Sequence, residues 1–170
     1  MEFQHEIHEE TYRRVEDYLP DFFEDPVHDE DAGNFYVRYG STVLEICVDA
    51  YGPKEASVKI TSFCVQGVKM STDLAGELLA LNHELPFGSF SMLGDDIFFA
   101  HSVFGRDLDA RKLLDAIAAV AYAADEYDDH LAAKYGGTTA LEHIHRTGGQ
   151  KRRQEDSGTE SDFDSSALPS

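Results

Sequence analysis

Two cysteines, a run of acids beside one histidine, and a few scattered histidines are the side chains here whose types could do chemistry. Cys47 and Cys64 fall on neighbouring predicted strands. With Tyr51 opposite Ala56 across the intervening turn, Cys47 faces Ile60 and Cys64 faces Val43. That leaves the thiols about four residues out of register, over ~10 Å apart at roughly 3.3 Å per residue, too far to bridge. They read as small buried apolar residues, and no further zinc ligands are placed nearby. Asp125, Asp128, Asp129 and His130 lie on consecutive turns of a predicted helix. Hard cations want several converging oxygens, usually from a loop, so these read as a solvated acidic face. His143 and His145 point to different sides of any helix, and His101 shares a strand face with Ile97, Phe99 and Val103. His101 is therefore expected as a hydrogen-bonded core histidine rather than a base. Gly-x-Ser-x-Gly, Gly-x-x-x-x-Gly-Lys and Gly-x-Gly-x-x-Gly are all absent. The expectation is no catalytic residue, no metal, no cofactor and no enzyme.

The elements that carry these residues are easier to read. Leu74, Leu78, Leu81 and Leu85 stand at 0, 4, 7 and 11, one apolar helical stripe stopped by Pro86. Ser71, Thr72 and Asp73 offer capping oxygens at its start. Ser89 to Leu93 and Ile97 to Phe104 then form a hairpin around Gly94-Asp95-Asp96. Upstream, Ile7, Thr11, Val15, Tyr18 and Phe22 give a first helix over residues 5–24, with a boundary or kink at Leu19-Pro20. Residues 25–33 read as an acidic loop. Strands are predicted at Asn34 to Tyr39, Thr42 to Tyr51 and Ala56 to Val65. The stripe Leu113, Ile117, Val120, Ala124, Tyr127 and Leu131 makes a last helix, ended by Gly136-Gly137. At about 1.5 Å per residue it reaches roughly 40 Å, long enough to invite a break or an overhang onto a second subunit. The fold class is α+β: helix, three-stranded meander, helix, hairpin, helix, in layers around one mainly antiparallel sheet.

The meander holds the most suggestive surface. Leu44, Ile46 and Val48 face the core, yet the opposite face keeps Val43, Cys47 and Tyr51, joined by Phe63 and Val65. A sheet face left to water should be more polar. Either the chain's own helices or a subunit covers it, or a client peptide lies in it.

Residue 1–137 is expected as one domain and 138–170 as an appended tail, because Gln150 to Ser170 offers too few apolar groups to offset chain entropy. The 170 residues carry a formal charge of −19, of which the tail's four basic and six acidic groups supply only −2. Such a body repels phosphate backbones and anionic lipid, so neither nucleic acid nor membrane is an expected partner. A basic peptide is attracted instead, unless the acid excess serves only solubility. Met1 to Glu6 lacks the character of a signal peptide and no apolar run is long enough to span a bilayer, so the expected location is cytoplasmic.

The order of elements, with Leu78-Leu79-Ala80-Leu81-Asn82, Phe87-Gly88-Ser89-Phe90, Ile97-Phe98-Phe99-Ala100-His101-Ser102 and Ala124-Asp125-Glu126-Tyr127-Asp128-Asp129, resembles the YbjN-like domains, relatives of the CesT-type chaperones of type III secretion. The likeness covers roughly residues 5–137 and leaves the tail unexplained. It implies a non-enzymatic, usually dimeric domain that binds peptide segments of a client or takes part in regulation. Two readings follow: a peptide-binding module acting as a homodimer through Val43, Cys47, Tyr51, Phe63 and Val65, or a regulatory domain that holds no client and signals through its dimer or tail.

Overall fold

The computed structural model describes residues 2–40 and 42–139. Its elements run α1 (Glu6–Phe22), β1 (Val27–Asp29), β2 (Asn34–Tyr39), β3 (Thr42–Ala50), β4 (Ala56–Gln66), α2 (Thr72–Glu84), β5 (Ser89–Leu93), β6 (Asp96–Phe104), α3 (Ala110–Tyr135) and β7 (Thr138–Thr139). This is the expected α+β arrangement of helices on one antiparallel sheet. The strand order is β1-β2-β3-β4-β6-β5, with β7 paired to β4 beyond the start of β3. All three helices bury their apolar residues in one core on a single face: α1 brings Tyr12, Val15 and Leu19, α2 Leu74 and Leu78, α3 Leu113, Ile117, Val120 and Leu131. Phe35, Leu44, Ile46, Val58, Ile60, Phe90 and Phe99 meet them from the sheet.

Three details depart from the sequence reading. First, α1 is rotated: His8, Thr11, Tyr12, Val15 and Leu19 are its buried residues, while Phe22 is exposed. His8 and Tyr12 take the inner face because the sheet offers their polar tips partners, whereas Thr11 Oγ1 is buried without one among the described residues. Gln4 N–H donates to His8 Nδ1 at 3.3 Å, so Nε2 carries the proton and donates to Val48 O at 3.1 Å. Tyr12 lies against Phe35 and hydrogen-bonds His28 Nε2 at 2.5 Å. Nor does Pro20 end the helix, which runs on to Phe22 before Phe23 N–H closes on Leu19 O at 3.0 Å. A proline in a last turn removes only one donor.

Second, residues 27–29 of the acidic loop are a strand, β1, whose His28 ring stacks on Phe35 with centroids 4.8 Å apart. Third, the β3–β4 register is one residue off the expected one. Tyr51 N–H bonds Glu55 O at 2.8 Å, so Ala50 rather than Tyr51 pairs with Ala56, and Cys47 faces Lys59 rather than Ile60. Both cysteines are free. Of the two alternatives for the long last helix the break is absent: α3 runs unbroken for 26 residues.

The chain stays in the sheet through Thr138–Thr139, opposite Gln66 and Val65. The region from 140 to 170, read from composition as a disordered tail, lies outside the described residues, as do His143 and His145.

Candidate functional site

With every helix on one side, the other face of the sheet carries no helix among the described residues. Strand alternation decides which side chains stand there. From β3 come Val43, Glu45, Cys47 and Asp49. Their register partners and alternates on β4 are Lys59, Thr61 and Phe63. Across β4, Phe63 pairs with Phe98 and Ser57 with Phe104, which adds a row from β6. Two aromatic pairs result: Phe63 with Phe98 at 4.6 Å between centroids, and Tyr51 with Phe104 at 5.9 Å. Tyr51 is 61% and Phe104 65% exposed, so the second pair stands almost wholly in water. Lys59 and Thr61 lie between the two pairs.

Four of the five residues singled out by alternation meet on this surface: Val43, Cys47, Tyr51 and Phe63. Val65 does not. The β4–β6 register shifts between Phe63 and Val65. This bulge inserts one residue, and Cys64 and Val65 both turn into the core, each fully buried. Unbroken alternation in Cys64-Val65 hid the bulge. Phe98 and Phe104, which complete the surface, were legible as the alternate residues of β6. What sequence adjacency cannot show is that β6 lies beside β4, since α2 and β5 intervene.

The chemistry of the face is adhesive. Burial, with Glu45 and Asp49 nearby, pushes the Cys47 thiol up to about 12, so it stays protonated at neutral pH and acts as apolar surface. Glu45 accepts hydrogen bonds from Asn34 Nδ2 at 2.9 Å and Tyr36 OH at 2.7 Å. That phenol is itself held protonated, mainly by burial.

The acids of α3 do other work. His130 Nε2 and Lys134 Nζ each lie 2.7 Å from Glu77 of α2, and Tyr135 OH bonds the same carboxylate. These bonds hold Glu77 down to about 2. Asp128 is half-buried, and its burial raises its carboxyl to about 6 from an ordinary 3.8. Among the described residues no three of His, Cys, Asp and Glu are grouped to hold a metal. His101 stands on the core side, opposite Ile60 and 5.8 Å from the Phe87 ring, and burial lowers its pKa.

Asp128 gives a testable pH dependence. A carboxyl whose folded pKa lies above its unfolded one binds its proton more tightly when folded. Ionised Asp128 therefore costs stability above about pH 6, and the cost fades as pH falls toward 3.8. Two units are worth ~3 kcal/mol, which partial exposure to solvent reduces to about 1 kcal/mol. Asp128→Asn is expected to raise Tm by about 3 °C at pH 8 and to leave it unchanged near pH 4. An equal shift at both pH values would show that charge is not the cause.

A family model described as T3SS (YopN, CesT) and YbjN peptide-binding chaperone 1 matches residues 9–143. Among solved structures, the chain is similar to one in the crystal structure of the ExsC-ExsE complex, with a TM-score of 0.56 over 74% of this chain and 96% of that one. At 8% identity, that likeness shows the fold alone. No curated protein matches.

Proposed function

This chain belongs to the T3SS and YbjN peptide-binding chaperone family, and on that premise we propose that it is a non-enzymatic module which holds segments of a client protein on the open face of its sheet. The observation that carries this reading is the surface itself: Val43, Cys47, Tyr51, Phe63, Phe98 and Phe104 on one helix-free side, with the Tyr51–Phe104 ring pair largely in water and the Phe63–Phe98 pair part-buried. Apolar side chains grouped on an uncovered face, with polar ones between them, mark a place for a partner. Apolar contact supplies the affinity, and the formal charge of −19 selects clients whose segments are basic. The working unit is a cytoplasmic homodimer. No helix among the described residues is long and apolar enough to cross a membrane.

Three labelled synthetic peptides titrated against the full chain test this: one basic and rich in apolar residues, one acidic with the same apolar residues, one basic without them. The basic apolar peptide should bind at least about tenfold more tightly than either control, a difference of roughly 1.4 kcal/mol, and weaken as salt is added. Equal affinity for all three, or none for any, would refute it. Light-scattering mass of the free protein tests the dimer separately.

A further inference from the structure

Among the described residues β5 is the last strand of the sheet, hydrogen-bonded on one side to β6. Its pairing closes on Leu93 opposite Asp96 across a two-residue turn, so Ser89, Ser91 and Leu93 direct their backbone groups toward β6. The N–H and C=O of Phe90 and Met92 then point away from the sheet. Such an edge is a template for another strand. At Phe90 the template is filled: Asn82 of α2 donates from Nδ2 to Phe90 O at 3.0 Å and accepts from Phe90 N–H through Oδ1 at 2.6 Å. A side-chain amide presents one donor and one acceptor side by side, the same pair that a neighbouring residue of an antiparallel strand would present.

We infer that Asn82 acts as a stand-in strand, shutting the β5 edge against a second copy of this chain. The occupant follows from β5 itself. Two antiparallel copies of Ser-Phe-Ser-Met-Leu with Ser91 on the twofold axis set Phe90 opposite Met92 of the other copy, apolar on apolar, with Ser91 facing its own copy and Ser89 facing Leu93. The contact is self-complementary and closes as a twofold pair. α2 keeps Asn82 in place by the Glu77 bonds to α3 and by burying Leu74 and Leu78. This inference is independent of what binds the open face.

Asn82→Leu removes both bonds without shortening the helix, leucine being a good helix former. Light scattering over a concentration series should show the variant associating further than the wild-type chain, doubling its mass at concentrations where the wild type does not change. Adding Met92→Pro, whose ring replaces an N–H that points outward, should restore the wild-type mass. An Asn82→Leu variant with wild-type mass throughout would overturn the inference, as would association that Met92→Pro leaves intact. If the leucine variant does not fold, amide exchange of the wild-type chain decides instead: Phe90 N–H should exchange much more slowly than Met92 N–H, and equal rates would overturn it.

Discussion

Replacing Phe63 and Phe98 together with serine is expected to weaken binding of a basic apolar peptide by about 30- to 100-fold, roughly 2–3 kcal/mol. The two rings sit 4.6 Å apart on adjacent strands, at the end of the helix-free face away from Tyr51 and Phe104. A peptide laid across that face buries both rings more deeply than the free protein does, and each loses its share of removed water when truncated. The fold should tolerate the change, because both side chains are only part-buried and neither belongs to the buried core. Loss of the ring pair and of the area both rings bury costs about 2–3 kcal/mol and a Tm decrease of roughly 6–9 °C. Tyr122→Ser supplies the control: this residue is 72% exposed, on α3 at the opposite side of the molecule, and its loss should not alter affinity. Equal weakening by both changes would mean that the open face has no special part in binding.

A large effect on stability is expected at Gly88, between α2 and β5. Its φ is +73°, in the left-handed region, and a Cβ there would lie 2.6 Å from the Phe99 ring and 2.8 Å from Ala100 O. Phe99 is completely buried, so it has nowhere to go. Gly88→Ala combines a backbone penalty of about 1–2 kcal/mol with an overpacking penalty of about 1–3 kcal/mol. The sum, about 2–5 kcal/mol, should lower Tm by roughly 6–15 °C. Gly52→Ala isolates the first contribution, since that glycine has φ +66° and open space around its would-be Cβ. It should lose only about 1 kcal/mol in a denaturant titration. If the two alanine variants are equally stable, crowding against Phe99 is not what demands glycine at 88.

Local pattern set most of the architecture. The leucine ladder from Leu74 to Leu85, the alternation of Leu44, Ile46 and Val48, and the 18-residue stripe from Leu113 to Leu131 are each strong enough to specify an element without help from the rest of the chain. Those periods follow from helix and strand geometry, so the sequence alone determined an antiparallel sheet dressed by three helices. It also determined that one side of β3 would be apolar where water should favour polar groups. Where apolar count and hydrogen bonding disagreed, the pattern misled. α1 turns His8 and Tyr12 inward because Val48 O, Phe35 and His28 receive them, and those partners come from strands 16 to 40 residues away in the chain.

What tertiary structure alone decided is the membership of the site. Val65 leaves it because a single inserted residue in β4 reverses the alternation, a change with no signature in the run Phe63-Cys64-Val65. Phe98 and Phe104 enter it because β6 passes over α2 and β5 to lie beside β4. A strand's alternation names two faces without saying which one the helices will cover. Only the packing of α1, α2 and α3 onto the same side turned half of each pattern into core and left the other half as surface.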